Sequence, residues 1–314
     1  MGRLSPDDPN DRRRTWREQT QAAINRLRRY SIELPRAIRE RGGAVHQRLD
    51  IKVPPEVVSS SLAATWLGHA SVLLRIGDQW VLTDPVFSSR IGIPIGPITI
   101  GLGRIAPAPD PATLPRPDLI LLSHAHFDHL DKPSLRALAH PSTRVITAAG
   151  TARLVPRGFG QVDELGWDRE LSANGLQLRA LQPRHWGARM TVDAHRGYNA
   201  YVLDSLHRRV LFAGDTALTD RFRALADEPR RTDLAVFGIG AYDPWIHNHA
   251  SPEQVWQMFQ ESGAEHLLPM HHSTFKLSDE PKDEPLSRLF AAAGTTAKVI
   301  VGHQLGQPWA RPGS

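Results

Sequence analysis

Apolar positions recur along this chain with changing rhythm, and the changes divide it. Within residues 16 to 34, Trp16, Ala23, Ile24, Leu27 and Leu34 return at three- and four-residue spacing with arginines between them, which predicts an amphipathic helix. Pro35 and then Gly42-Gly43 end it. From Leu62 the period becomes two, predicting strands at 62–67 and 71–76, a turn at Gly77-Asp78 and a strand at 80–83. Residues 91–117 are dense in Pro and Gly and read as a long irregular loop of the kind that borders a functional cleft. The unbroken apolar run Leu119 to Leu122 predicts a buried strand, followed by a helix over 133–139 and a strand at 144–147. Further strands are expected at 176–181, 198–203, 210–213, 234–238, 266–270 and 298–301, with helices between them. One helix start is explicit: Ser251 as N-cap, Pro252 in the first turn and Gln254 three residues on lead into Val255, Met258 and Phe259. Hairpins early and alternation later predict a layered α/β domain.

Composition narrows the chemistry. At 314 residues, 40% hydrophobic and 23% charged, the chain is of ordinary globular make-up. No apolar run approaches the roughly 18 residues of a membrane span, and residues 1–29 are charged where a signal peptide would be apolar. A soluble, cytoplasmic protein is the expectation. With no cysteine there is neither a disulfide framework nor a thiolate metal site, so any metal must be held by His, Asp and Glu. The charge of +5 is uneven, since residues 1–48 hold 12 Arg against six acids and everything after them is close to neutral. That neutrality speaks against nucleic acid as a partner. It also sets a basic amphipathic arm, 1–48, apart from a domain at 49–314. The arm either packs its apolar stripe on the domain or makes peripheral contact with a membrane surface, such as the inner membrane. A dimer is compatible with the sequence.

The strand Leu119–Leu122 runs directly into Ser123-His124-Ala125-His126-Phe127-Asp128-His129-Leu130-Asp131. In an extended segment residues two apart face the same way, so His124 and His126 can grip one ion while Asp128 and His129, beyond the turn, reach a second. This His-x-His-x-Asp-His run resembles the signature of the metallo-β-lactamase superfamily. The resemblance narrows with Thr65-Trp66-Leu67-Gly68-His69-Ala70, Leu82-Thr83-Asp84-Pro85-Val86-Phe87-Ser88-Ser89-Arg90 and Pro183-Arg184-His185-Trp186. It continues in Phe212-Ala213-Gly214-Asp215-Thr216, Gly238-Ile239-Gly240-Ala241-Tyr242 and His271-His272-Ser273-Thr274-Phe275. In this order they are similar to the branch that contains N-acylphosphatidylethanolamine-hydrolysing phospholipase D and its bacterial relatives, over about residues 62–305.

The resemblance implies a four-layer αβ/βα sandwich with two zinc ions at one edge. His124, His126 and His185 would bind one ion, Asp128, His129 and His271 the other, and Asp215 would bridge them. Carboxylates and imidazoles are a donor set that zinc accepts. Where relatives commonly carry His-Trp-Gly-Thr-Phe, this chain has two adjacent histidines; His271 holds the ligand's position, and His272 becomes a proton donor or phosphate binder if it faces the pocket. His249, before the capped helix, is a second candidate to protonate a leaving group, and Asp128 is counted with them in the catalytic set. His69 is expected to support a ligand, Asp84 to orient one as a buried acceptor, and His303 matches a family position without an assigned role. The implied activity is hydrolysis by a hydroxide shared between the metals, of a phosphodiester in an N-acylphosphatidylethanolamine-like phospholipid. Alternatives are a lactonase or phosphodiesterase acting on a soluble sugar-phosphate-like substrate, and a membrane-associated metal-binding scaffold without turnover.

Overall fold

The computed structural model describes residues 44–96, 98–190 and 193–311; the helix predicted at 16–34 and nearly all of the basic arm lie outside them. After strand β1 (Arg48–Leu49) and helix α1 (Pro55–Ser59), the chain lays down β2 (Leu62–Trp66), β3 (Val72–Ile76) and β4 (Gln79–Thr83). Then come a hairpin of β5 (Arg90–Ile95) and β6 (Ile98–Gly103), β7 (Ala108–Pro109), β8 (Leu119–Leu122), helix α2 (Lys132–Leu138), β9 (Arg144–Ala148) and β10 (Gln161–Leu165). A second series follows: β11 (Glu170–Ala173), β12 (Leu176–Leu181), β13 (Ala200–Asp204), β14 (Arg209–Phe212), β15 (Leu234–Gly238), helix α3 (Pro252–Glu261) and β16 (His266–Met270). Helix α4 (Glu284–Ala293) and β17 (Pro308–Ala310) complete the described chain.

The first series forms a seven-stranded sheet in the order β10-β9-β8-β4-β3-β2-β17, and the second a six-stranded sheet in the order β11-β12-β13-β14-β15-β16. Each is parallel in one part and antiparallel in the other: β10, β9, β8 and β4 run together, as do β14, β15 and β16. The central parallel strands β8 and β15 are buried along their length, which is why they read as unbroken apolar runs. Leu74, Ile76, Leu119 and Leu121 of one sheet meet Tyr201, Leu203, Phe212 and Val236 of the other. On the far face of the first sheet, Leu73, Leu82, Ile120 and Leu122 pack under Leu135 and Leu138 of α2. On the far face of the second, Leu211, Ala235 and Phe237 pack under Val255, Met258 and Phe259 of α3 and Leu289 of α4. The layers are therefore helix, sheet, sheet, helix, the four-layer αβ/βα sandwich.

Two expectations are corrected. Residues 91–117 are not one irregular loop, because 90–103 is the β5–β6 hairpin, in which Gly92 faces Gly101. A Cβ on Gly101 would lie 1.9 Å from the Ile91 carbonyl oxygen, and one on Gly92 2.2 Å from that of Ile100, so the glycines that suggest a loop are what let the strands approach. The strand expected at 298–301 is instead a 3₁₀ turn, Gly294–Val299, followed by a single bridge between Ile300 and Leu267. The Ile300 N–H is used locally on Ala297, while Val299 and Ile300 pack among the helices.

Candidate metal centre

Strands β4, β8, β14 and β16 each deliver a polar residue just past their carboxyl ends, the edge of an α/β sheet where ligands bind. These are Asp84 after β4, His124 to His129 after β8, Asp215 after β14 and His271 after β16. His185 follows β12, and His69 sits in the β2–β3 turn. His69, Asp84 and His271 all have positive φ, 53°, 32° and 61°, a costly backbone for side chains with a Cβ and one that clusters at functional turns. Gly240 has a packing reason: a Cβ there would lie 2.3 Å from the His271 carbonyl oxygen, so the Gly-Ile-Gly run after β15 fits only as glycine against this turn.

Two groups of donors converge. In the first, His126 Nδ1 lies 2.7 Å from His124 Nε2 and 3.4 Å from His185 Nε2, with Asp215 Oδ2 at 3.9 Å from His124 and 3.7 Å from His185. In the second, Asp128 Oδ2 lies 3.7 Å from His129 Nε2 and 3.6 Å from His271 Nε2. Asp215 Oδ2 reaches that group too, at 3.1 Å from His129 Nε2 and 3.3 Å from His271 Nε2. All seven residues proposed from the sequence as ligands are thus brought together, with Asp215 between the two groups. His249 joins from the loop before α3, its Nδ1 3.8 Å from Asp215 Oδ2 and its ring stacked on His271.

The imidazoles are aimed by their other nitrogens. Asp84, fully buried, accepts His129 Nδ1–H at 2.7 Å and the Ser123 hydroxyl at 2.5 Å, while the Ser123 oxygen in turn accepts His124 Nδ1–H at 2.8 Å. His185 Nδ1–H donates to the Asn248 carbonyl at 3.0 Å. In each case Nε2 is left facing the cluster, which is how a metal-binding histidine is oriented. His69 Nε2–H donates to Asp128 Oδ2 at 3.0 Å, the supporting position expected for it. Arg189 holds the loop itself: its Nη1 donates to the carbonyls of Ala125 and Leu130, and its guanidinium lies 4.0 Å over the Phe127 ring. Ser123, the Asn248 carbonyl and Arg189 were not singled out from the sequence. Ser123 carried a signal, as a hydroxyl adjoining the first histidine; a backbone carbonyl carries none.

Among the expected site residues, His272 stands apart. Its ring stacks on Trp66 at 4.4 Å, Nδ1 pairs with the Ser273 hydroxyl, and it belongs to neither donor group. It does help to wall a cleft beside His271, together with Ile105, Gly240, Phe275 and Leu277, with Lys276 and Lys282 at the rim. His303 lies edge-on to Phe290 and belongs to neither donor group.

Whether these residues suit metal ions is decided by what they leave unsatisfied. Asp215 Oδ1, His271 Nδ1 and His126 Nε2 are buried without a hydrogen-bond partner, and Asp215 Oδ2 meets His129 Nε2 and His271 Nε2 at ion-pair distance but outside hydrogen-bond geometry. Stranding so many strong polar groups costs on the order of 1–3 kcal/mol each, whereas a cation among them satisfies several together. Charge gives the same answer. Burial alone would raise the Asp215 carboxyl, yet His129, His271 and His249 hold it well below the usual carboxylate range. Burial opposes protonation of His271 as well, and the Asp215 and Asp128 carboxylates nevertheless lift it to about 9; His129 is raised for the same reason. The carboxylates thus demand positive charge at their centre. Divalent ions supply it and displace the protons.

Residues 79–272 match the family described as Beta-lactamase superfamily domain. The chain is 32% identical over 251 residues to an uncharacterized protein of Mycobacterium tuberculosis, the match covering 75% of this chain and 65% of that one, so it spans about two-thirds of that relative's length. It is 28% identical over 273 residues to the N-acyl-phosphatidylethanolamine-hydrolyzing phospholipase D 1 of Caenorhabditis elegans, covering 80% of this chain and 76% of that protein. Among solved structures, a possible metal-dependent hydrolase from Veillonella parvula superposes with a TM-score of 0.64 at 14% identity, over 81% of this chain and all of that one.

Proposed function

This chain belongs to the metallo-β-lactamase superfamily, and from that premise we propose that it is a hydrolase with two zinc ions that cleaves a phosphodiester bond in N-acylphosphatidylethanolamine-like phospholipids. The reading rests above all on Asp215, a carboxylate 3% exposed, with no hydrogen-bond partner and imidazoles of both donor groups around it. His124, His126 and His185 would hold one ion, Asp128, His129 and His271 the other, and Asp215 both. Such a pair supplies Lewis acidity and an activated water at neutral pH. The protein's own residues do the rest. Asp84 and Ser123 keep the two imidazoles they touch in one tautomer, and His69 fixes the Asp128 carboxylate. His249, partly exposed at the edge of the cluster, is kept neutral by burial and by the neighbouring His185 and His271, so it would give a proton to the departing alkoxide oxygen only after taking one from the reacting water, and we assign it that relay.

The lipid substrate is supported by the likeness to the worm phospholipase D and would yield phosphatidic acid and an N-acylethanolamine. The basic arm at 1–48 would then contribute peripheral attachment to the membrane. The test combines elemental analysis of protein purified without chelator with turnover of phospholipids, soluble phosphodiesters and sugar-phosphate lactones. Two zinc equivalents and preference for the phospholipid are expected. Preference for a lactone or a soluble phosphodiester would replace the lipid reading, one metal equivalent at full activity would overturn the dinuclear centre, and metal without any turnover would leave a scaffold.

A further inference from the structure

Between Arg90 and Arg104 lie 13 residues without a charge, five of them isoleucine or leucine after Ile91. They form the β5–β6 hairpin, whose strands pair with each other and with neither large sheet. Its base is anchored: Ile91 and Leu102 pack with Val86, Phe275 and Leu277, and Arg104 bridges to Phe275. Phe275, Leu277 and Ile105 are also walls of the cleft beside His271. From there two six-residue strands reach roughly 20 Å, and the far end is apolar and bare. Ile95 is 55% exposed and Ile98 48%. Among the described residues six large apolar side chains are exposed, and two more of them, Met190 and Ile246, follow His185 or precede His249 by a few residues. Two exposed isoleucines at the tip of one ribbon mark an interaction surface. The cleft's rim is charge-balanced, with Lys276 and Lys282 beside Asp279 and Glu280, and Arg90, half-buried, stands at the hairpin's root.

We propose that the β5–β6 hairpin is a membrane wedge: Ile95 and Ile98 enter the apolar layer of a lipid surface while Arg90, at the hairpin's root, stays at the headgroup level beside the cleft. The occupant follows from the chemistry. An isolated ribbon with isoleucines at its tip, no charge from 91 to 103 and Arg90 at its root has the polarity profile of a headgroup-to-acyl boundary. The proposal extends the phospholipid reading but binds a surface without needing turnover, so the two can fail separately.

The absence of cysteine from the chain makes the test clean, because a single introduced thiol labels one site. In the zinc-loaded full-length protein, Ile95→Cys carries an environment-sensitive NBD fluorophore. Leu206→Cys, 78% exposed in the β13–β14 turn at the opposite end of β14 from Asp215, is the control. On phosphatidylcholine–phosphatidylglycerol vesicles the label at 95 should brighten several-fold, move to shorter wavelength and become shielded from iodide, while the label at 206 stays in water even if the basic arm holds the protein to the vesicle. If the two labels respond alike, or if the label at 95 shifts with protein concentration in the absence of lipid, the wedge is overturned, the latter outcome making the hairpin a contact between copies. Insertion without hydrolysis of vesicle-borne phospholipid would sink the substrate reading alone. Hydrolysis with the label at 95 still in water would sink the wedge alone.

Discussion

Adjacent histidines at 271 and 272 show how much one residue's surroundings decide. His271 stands between two buried carboxylates, and His272 is stacked on Trp66. If the cluster holds two ions as proposed, His271→Ala should take out at least one metal equivalent and lower turnover at least about a hundredfold, by elemental analysis and kinetics on the same sample. His272→Ala should keep both equivalents and cost about 1–2 kcal/mol in urea denaturation, since it empties a stacked position in the core. Equal metal loss in both variants would reverse the assignment. The ligand side chains were readable in the sequence because their residue types and spacing are themselves the chemistry. Their supports were less so: Asp84 could be expected as an acceptor, but the Asn248 carbonyl that aims His185 is backbone, and Arg189 acts on the carbonyls of Ala125 and Leu130 from 59 to 64 residues away.

At the level of elements, local signals were read well and non-local ones poorly. The capping box of α3 was legible because Ser251 and Gln254 satisfy each other's backbone N–H groups within one turn, and both bonds form. Helix α4 begins at Asp283 without a side-chain cap, so its start carried no such mark. Strand β10, polar at Gln161, Asp163 and Glu164, is an edge strand defined only by its partner β9. The two late helices are tied by Glu253, whose carboxylate takes both Arg288 Nε and Nη2 at 2.8 Å. The guanidinium holds the Glu253 carboxyl near 2, below its ordinary 4.5. The folded value is depressed, so the stabilisation is complete above 4.5 and fades as the pH falls through about 2. Both side chains are largely solvated, which limits the pair to about 0.5–1 kcal/mol. Glu253→Gln should show that deficit at pH 7 in urea titration and a progressively smaller one as the pH is lowered from 4.5 toward 2; a deficit that did not change with pH would mean the contact acts through packing.

Across the whole molecule, the donor groups come from both sheets: His124, His126, Asp128 and His129 from the first, His185, Asp215 and His271 from the second. Metal ions would tie one sheet to the other, and binding to the native state alone raises stability by about 2.7 kcal/mol at a hundredfold excess over Kd. Stripping the metal with a chelator should lower the melting temperature by several degrees, and zinc should restore it. Because the carboxylates keep His129 and His271 protonated without metal, zinc uptake should release protons and weaken as the pH falls below about 9, measurable by calorimetry in buffers of different ionisation enthalpy. Uptake with no proton release would show that those imidazoles are neutral beforehand.

Between β10 and β11 the chain passes from the first sheet to the second in four residues, and only at the end does it return, when β17 pairs with β2. A backbone cut at residues 166–169 would therefore yield two halves that each hold an incomplete set of donors and remain interlocked by the returning strand. Mixed as separate chains, such halves would form a split protein whose reassembly, if the cluster binds metal as proposed, depends on that metal, with chelation as the release.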